Sequence, residues 1–137
     1  QAQGAPGSSR DSGRSERVEG RSVWDGVYTV GQAKRGEAMY AEHCSRCHGA
    51  TLMGGGEGVG PLIGATFSSN WNGVTLADML ERTRVSMPSD QPGNLTRQQT
   101  ADVLAYVLSM NKFPPGKAEL PRQLEILSQI RFLASKP

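Results

Sequence analysis

The 137-residue sequence predicts an all-α domain of three to four helices, carried between an N-terminal arm and a C-terminal extension. Three observations lead there. Segments beginning at Thr29, Thr75 and Thr96 repeat apolar side chains at helical intervals behind a capping threonine. Between Gly49 and Gly60 six glycines and no period mark a long loop. Both cysteines and both histidines lie in one heptapeptide, His43-Cys44-Ser45-Arg46-Cys47-His48-Gly49, an unusual density of ligand-type side chains.

Residues 1–20, rich in Gly, Ser, Arg and Glu, cannot bury enough apolar surface to offset chain entropy and are expected to form a flexible or partner-held arm. A domain over 21–113 and an extension over 114–137 complete the division. Within the domain, "SVWDGVYTV" reads as an entry strand or loop. Thr29 with Gln32 then matches a capping box, and Ala33, Gly36, Tyr40 and Ala41 share one face of a helix that runs into the cysteine motif. The glycine-rich stretch and the following "GPLIGATFSS" read as irregular. Thr75 and Asp78 open a second helix whose inner face is Leu76, Met79, Leu80 and Thr83. Two prolines and a glycine break "VSMPSDQPGN". Thr96 and Gln99 open a third helix with the stripe Val103, Leu104, Val107 and Leu108, ending near Asn111. In the extension Leu120, Leu124, Leu127 and Ile130 have roughly helical spacing, while "QIRFLA" alternates like a strand.

From Arg21 to Pro115 eight basic and eight acidic residues balance, and no basic stripe with interleaved aromatics exists, which argues against nucleic acid as a partner. No run reaches the roughly 18 apolar residues of a membrane-spanning helix. The opening "QAQGAPG" is expected to be a mature start left by a removed leader.

Four chemistries compete for the cysteine motif. Zinc wants four ligands, and His43 abutting Cys44 would strain a tetrahedron built from all four side chains. A redox Cys-x-x-Cys belongs at a helix N-terminus, whereas this one follows a helix. A disulfide across three residues closes too small a ring to stabilise much through chain entropy. Cys-x-x-Cys-His is also the attachment signature of covalent haem: two thiols at that spacing reach the two vinyl groups, and the adjacent histidine binds iron.

On that reading His48 needs a partner across the ring, and His43 is tethered to the wrong side by Cys44. Methionine is the next candidate, since a Met/His pair raises the iron reduction potential. Of the five methionines, Met39 precedes the motif. Met53 lies five residues past His48, too near to round a ring about 10 Å across at about 3.3 Å per extended residue. Met79 and Met110 occupy helical positions where core filling is expected. Met87 lies 39 residues on, in a helix-breaking loop and before Pro88, which holds its backbone extended.

The ordered set "RGEAMYAEHCSRCHG", "GPLIG", Trp71, "SMP" and "ADVLAYVLSMN" resembles the class I, single-haem cytochromes c over residues 22–113. The resemblance implies their fold, three to four helices around one covalent haem c attached at Cys44 and Cys47, with His48 and Met87 as axial ligands. It further implies that Gly36 and Tyr40 cross Ala105 and Tyr106, with Tyr106 part of the haem pocket. By the same likeness Pro61 offers its carbonyl to His48, Leu62 packs on the ring, and Trp71 donates to a propionate or fills the core. "SVWDGVYTVGQAKRGEAMY", "PGNLTRQQTADVLAYVLSMNKFPPGKAEL" and "QIRFLASKP" look closest to the cytochrome domains and subunits that accompany quinoprotein (pyrroloquinoline quinone) alcohol and sugar dehydrogenases. The implied role is periplasmic or otherwise extracytoplasmic electron transfer between redox proteins, with such a dehydrogenase as donor and a terminal oxidase as acceptor.

Two other functions are weighed beside a diffusing carrier. In an enzyme or gas sensor Met87 would leave the iron, yet no general acid clusters near that loop. In a fixed electron-transfer subunit, or a self-assembling one, the two terminal segments would clasp a partner.

Overall fold

The computed structural model describes residues 21–49, 51–54, 60–87 and 91–137, apart from the side chains of Arg46 and Cys47. The arm expected over 1–20 lies outside the described residues. A 3₁₀ turn, Val23–Asp25, precedes helices α1 (Val30–His43), α2 (Ser45–His48), α3 (Gly64–Trp71), α4 (Leu76–Ser86), α5 (Arg97–Met110) and α6 (Leu124–Leu127). Among the described residues there is no strand; Arg131 makes isolated bridges to Ser22 and Thr75. The all-α expectation is met.

Helix α5 is the axis of the domain. Its threonine cap is the predicted one, Thr96 and Gln99 forming a reciprocal capping box. Every residue from Thr100 to Leu108 is buried, so the expected stripe widens to the whole circumference, as it must when neighbours cover all sides. Helix α1 crosses α5 at Gly36, where a Cβ would overlap the Asp102 carbonyl and press on Tyr106 Cβ. One turn later the rings of Tyr40 and Tyr106 meet with centroids 5.5 Å apart.

Three local expectations change. Thr29 Oγ1 does accept from the Gln32 N–H at 3.1 Å, but Gln32 does not close a capping box. Its buried amide instead donates to Asp102 Oδ1 (3.2 Å) and the Leu120 carbonyl (3.0 Å), and accepts from the Leu120 N–H at 2.6 Å. Burial without those partners would cost about 1–3 kcal/mol, more than a helix cap returns. Ala41 is exposed, so the inner face of α1 is Gln32, Ala33, Gly36 and Tyr40. Residues read as irregular, "GATFSS", form most of α3 around buried Phe67.

The extension belongs to the same core. Leu120, Leu127, Ile130 and Phe132 are fully buried. Phe132 meets Phe67 and Phe113 edge-on at 5.8 and 5.2 Å, and Trp24 meets Phe113 at 4.7 Å. Main-chain bonds tie Val23 to Arg131 (3.0 Å), Leu76 to Ile130 (2.8 Å) and Gly73 to Phe132 (2.7 Å). Both readings of the tail were partly right: one helical turn at Leu124–Leu127, then an extended residue paired on two sides.

Candidate functional site

The cysteine motif sits at a break between two helices. Cys44 closes α1, its N–H donating to the Tyr40 carbonyl, and its φ of −123° turns the chain into α2. That single turn carries Cys47 and His48, and the His48 N–H donates to the Cys44 carbonyl at 3.0 Å. Gly49 then reverses the chain with φ 86°, and a Cβ there would stand 3.0 Å from the Gly54 carbonyl. Only glycine takes that conformation without strain. The reversal brings the Gly54 N–H back to the His48 carbonyl at 2.8 Å.

Tyr40, buried in α1, donates its hydroxyl to the Gly49 carbonyl. Burial, followed by nearby Cys44 and Tyr106, pushes that phenol up to about 12, so it stays a protonated donor. Beyond the turn Leu52 is fully buried in a left-handed conformation, φ 65°. Its carbonyl accepts from the Leu62 N–H at 2.8 Å, closing the loop onto the segment that carries Pro61.

The remaining predicted residues distribute around this turn. Pro61 and Leu62 are half-buried, and Leu62 packs at the margin of the core with Ile63, Trp71 and Cys44. Trp71 lies 6.4 Å from Phe67, and the Arg82 guanidinium sits 5.5 Å over its ring. Tyr106 is buried, and burial raises its phenol. Met87 caps α4 in an extended conformation, φ −120° and ψ 151°, half-buried, its N–H on the Thr83 carbonyl. Of the other methionines Met79 fills the core as expected, whereas Met110 is exposed.

The expected bond from His48 to Pro61 is not formed: His48 Nδ1 is buried with no hydrogen-bond partner among the described residues. A buried imidazole nitrogen so placed, on the one-turn helix that follows Cys44, fits a covalently held haem. Nδ1 would carry the proton while the other nitrogen binds iron.

Several residues near the site were missed from sequence. Glu81 accepts from Arg84 (2.9 Å) and from Arg97 (3.2 Å), tying the middle of α4 to the start of α5. Arg84 chiefly, then Arg97, holds the Glu81 carboxyl below its ordinary range. Asn111, at the end of α5, donates to Leu62 and Val107 and accepts from Gly64. An open cleft of about 680 Å³, lined by Arg84, Arg97 and Arg122 among others, contains none of the predicted haem residues.

Residues 31–107, more than half of the chain, match a family model described as cytochrome c oxidase, cbb3-type, subunit III. No curated protein and no solved structure matches the chain.

Proposed function

Because the chain belongs to the c-type cytochrome family described as cytochrome c oxidase, cbb3-type, subunit III, we propose that it transfers electrons through one haem c bonded to Cys44 and Cys47, with His48 and Met87 as axial ligands. Family membership implies the covalent haem, the all-α cytochrome c fold and the role in electron transfer. The assignment of individual residues is our reading. When bound, the haem supplies an iron that cycles between ferric and ferrous states.

The protein side of the chemistry is holding and tuning. The observation that carries the assignment is His48 itself, half-buried at the end of a one-turn helix with its Nδ1 buried and unpartnered among the described residues. Gly49 and the Tyr40 hydroxyl fix the main chain beyond it, so the imidazole has little freedom to reorient. Pro61, the acceptor that the resemblance implied, precedes the residue whose N–H closes onto Leu52 and does not accept from the imidazole. Leu62, Trp71 and Tyr106 would form apolar walls that keep water from the ring. Met87, extended beyond α4, offers the soft sulfur that favours the ferrous form.

The finer context belongs to the same proposal. We read residues 21–113 as the haem domain and 1–20 and 114–137 as terminal extensions. Resemblance in residues 22–40, 92–120 and 129–137 supports a quinoprotein dehydrogenase as donor and an extracytoplasmic location. The oxidase named in the family description supports an acceptor of that class. A diffusing carrier is favoured over a subunit clasped through its C-terminal segment, because Leu120, Leu127, Ile130 and Phe132 are engaged in the chain's own core. The described helices include none long and apolar enough to cross a membrane.

Intact mass should exceed that of the polypeptide by one haem. The ferric protein should show thioether-to-iron charge-transfer absorption, which Met87→Ala abolishes. The reduced protein should refuse carbon monoxide and Met87→Ala should bind it. A native protein that binds carbon monoxide, or a variant that keeps the thioether absorption, would overturn the axial assignment.

A further inference from the structure

The cleft that lies apart from the predicted haem residues is walled by three segments. They are the end of α4 with Arg84, the start of α5 with Thr96 and Arg97, and residues 122–125 leading into α6 with Arg122 and Glu125. Its volume of about 680 Å³ falls in the range of small-molecule sites, about 300–1,000 Å³. Guanidinium groups dominate its charge, and Glu125 is the one acidic side chain among the described residues that line it.

Two of those guanidiniums are held in place. Arg84 Nε and Arg97 Nε both donate to the same oxygen, Glu81 Oε2, at 2.9 and 3.2 Å, and an Arg84 terminal nitrogen reaches Oε1 at 3.2 Å. One carboxylate thus gathers two cations. Arg84 and Glu81 are only 26% and 29% exposed, so water screens their charges incompletely. Neither arginine is exhausted, since a guanidinium carries about five N–H donors, of which Arg84 spends two and Arg97 one on Glu81. Arg122 makes no hydrogen bond or ion pair with any described residue. Three cations around the cleft meet two carboxylates, Glu81 and Glu125, so the surplus is positive and most of the donors have no protein acceptor.

The third guanidinium comes from outside residues 31–107, the part that matches the family model. Leu120 and Leu127, fully buried on either side of Arg122 in sequence, fix the segment that carries it, and Leu124 of the same segment lines the cleft. The extension therefore completes a cavity that the matched residues leave one cation short.

We propose that this cleft binds a small anion carrying at least two carboxylate or phosphate groups, one engaged by Arg84 and Arg97 and another by Arg122. A guanidinium presents its donors as a planar fork that matches either group bidentately. Glu81 holds the first pair of guanidiniums ready for the ligand, and Thr96, whose Oγ1 accepts from the Gln99 N–H at 3.0 Å, keeps its own proton to donate. An anion with a single group meets one set of arginines and leaves the other unanswered. The concave shape favours a small ligand over a protein face. Nothing in this site depends on the haem ligands, because none of them lines the cleft.

The test titrates full-length, haem-loaded protein with citrate, pyrophosphate, acetate and a hexaglutamate peptide by calorimetry at about 0.15 M ionic strength. Citrate or pyrophosphate should bind with a dissociation constant below about 1 mM, and whichever is tighter tells a carboxylate site from a phosphate site. Acetate should bind at least about tenfold more weakly, and the bound anion should raise the melting temperature. Arg122→Gln should weaken binding about tenfold or more, the loss of a charge-assisted hydrogen bond, with the visible spectrum unchanged. Lys136→Gln removes the same charge away from the cleft and should bind as the native chain does. If the two variants weaken binding equally, or acetate binds as tightly as citrate and pyrophosphate, the effect is general charge and the proposal is wrong. Binding of the peptide alone would make the cleft a protein-docking surface and overturn it as well. Should Arg122→Gln fail to fold, native affinity in Arg97→Gln overturns the proposal on its own.

Discussion

At the scale of single residues, the site depends on a glycine as much as on its ligands. Gly49 holds φ 86° with its would-be Cβ 3.0 Å from the Gly54 carbonyl. Gly49→Ala should cost at least the roughly 1–2 kcal/mol of a left-handed alanine and should weaken haem retention, because the Tyr40 hydroxyl and the His48 carbonyl both bond across that reversal. Thermal melting and haem content report the two effects, and a native melting temperature would contradict the argument. The motif is legible in the sequence because the attachment chemistry we propose is local: Cys44, Cys47 and His48 are read from five consecutive positions. Gln32 and Asn111 were not legible, because their amides spend themselves on Leu120, 88 residues on, and on Leu62, 49 residues back. Nothing within a helical turn of either residue announces such partners.

At the scale of elements, helices with their own caps were visible and the helix without one was not. Thr75 and Thr96 announce α4 and α5, whereas α3 borrows its first-turn acceptor from α5 and reads locally as loop. Between α4 and α5, Glu81 holds Arg84 and Arg97 and thereby fastens both ends of the segment bearing Met87. The folded protein depresses the Glu81 pKa, with Arg84 the main cause, from an ordinary 4.5. A depressed carboxylate contributes stability above its unfolded value and loses it as pH falls through the lower folded value. Glu119, lowered by Arg35, acts in the same direction. Melting temperature should therefore fall as pH drops below 4.5, and Glu81→Gln should show a shallower acid limb than the native chain. Added salt should shrink the difference between the two curves, since these groups are only partly shielded from water. Parallel curves at low salt would rule out the ion pairs as the cause.

At the scale of the whole molecule, the division drawn from sequence at residue 113 does not coincide with a boundary of packing. Composition and prolines made 114–137 look like an appendage, yet four of its side chains are fully buried. That appearance has a physical source: the segment's only helix is one turn long and its bridges are confined to Arg131, so periodicity had almost nothing to act on. Each of those side chains contributes about 1.5–3 kcal/mol, together comparable with the roughly 5–15 kcal/mol that holds a domain folded. A chain ending at Pro115 should accordingly lose its cooperative thermal transition, and a retained sharp melt by circular dichroism would refute this. The bridges from Arg131 to Ser22 and Thr75 also govern timing. Until residues 130–132 have left the ribosome, neither the entrance to the domain nor the start of α4 can settle. Closure at the domain entrance thus waits on contacts between residues that lie far apart along the chain.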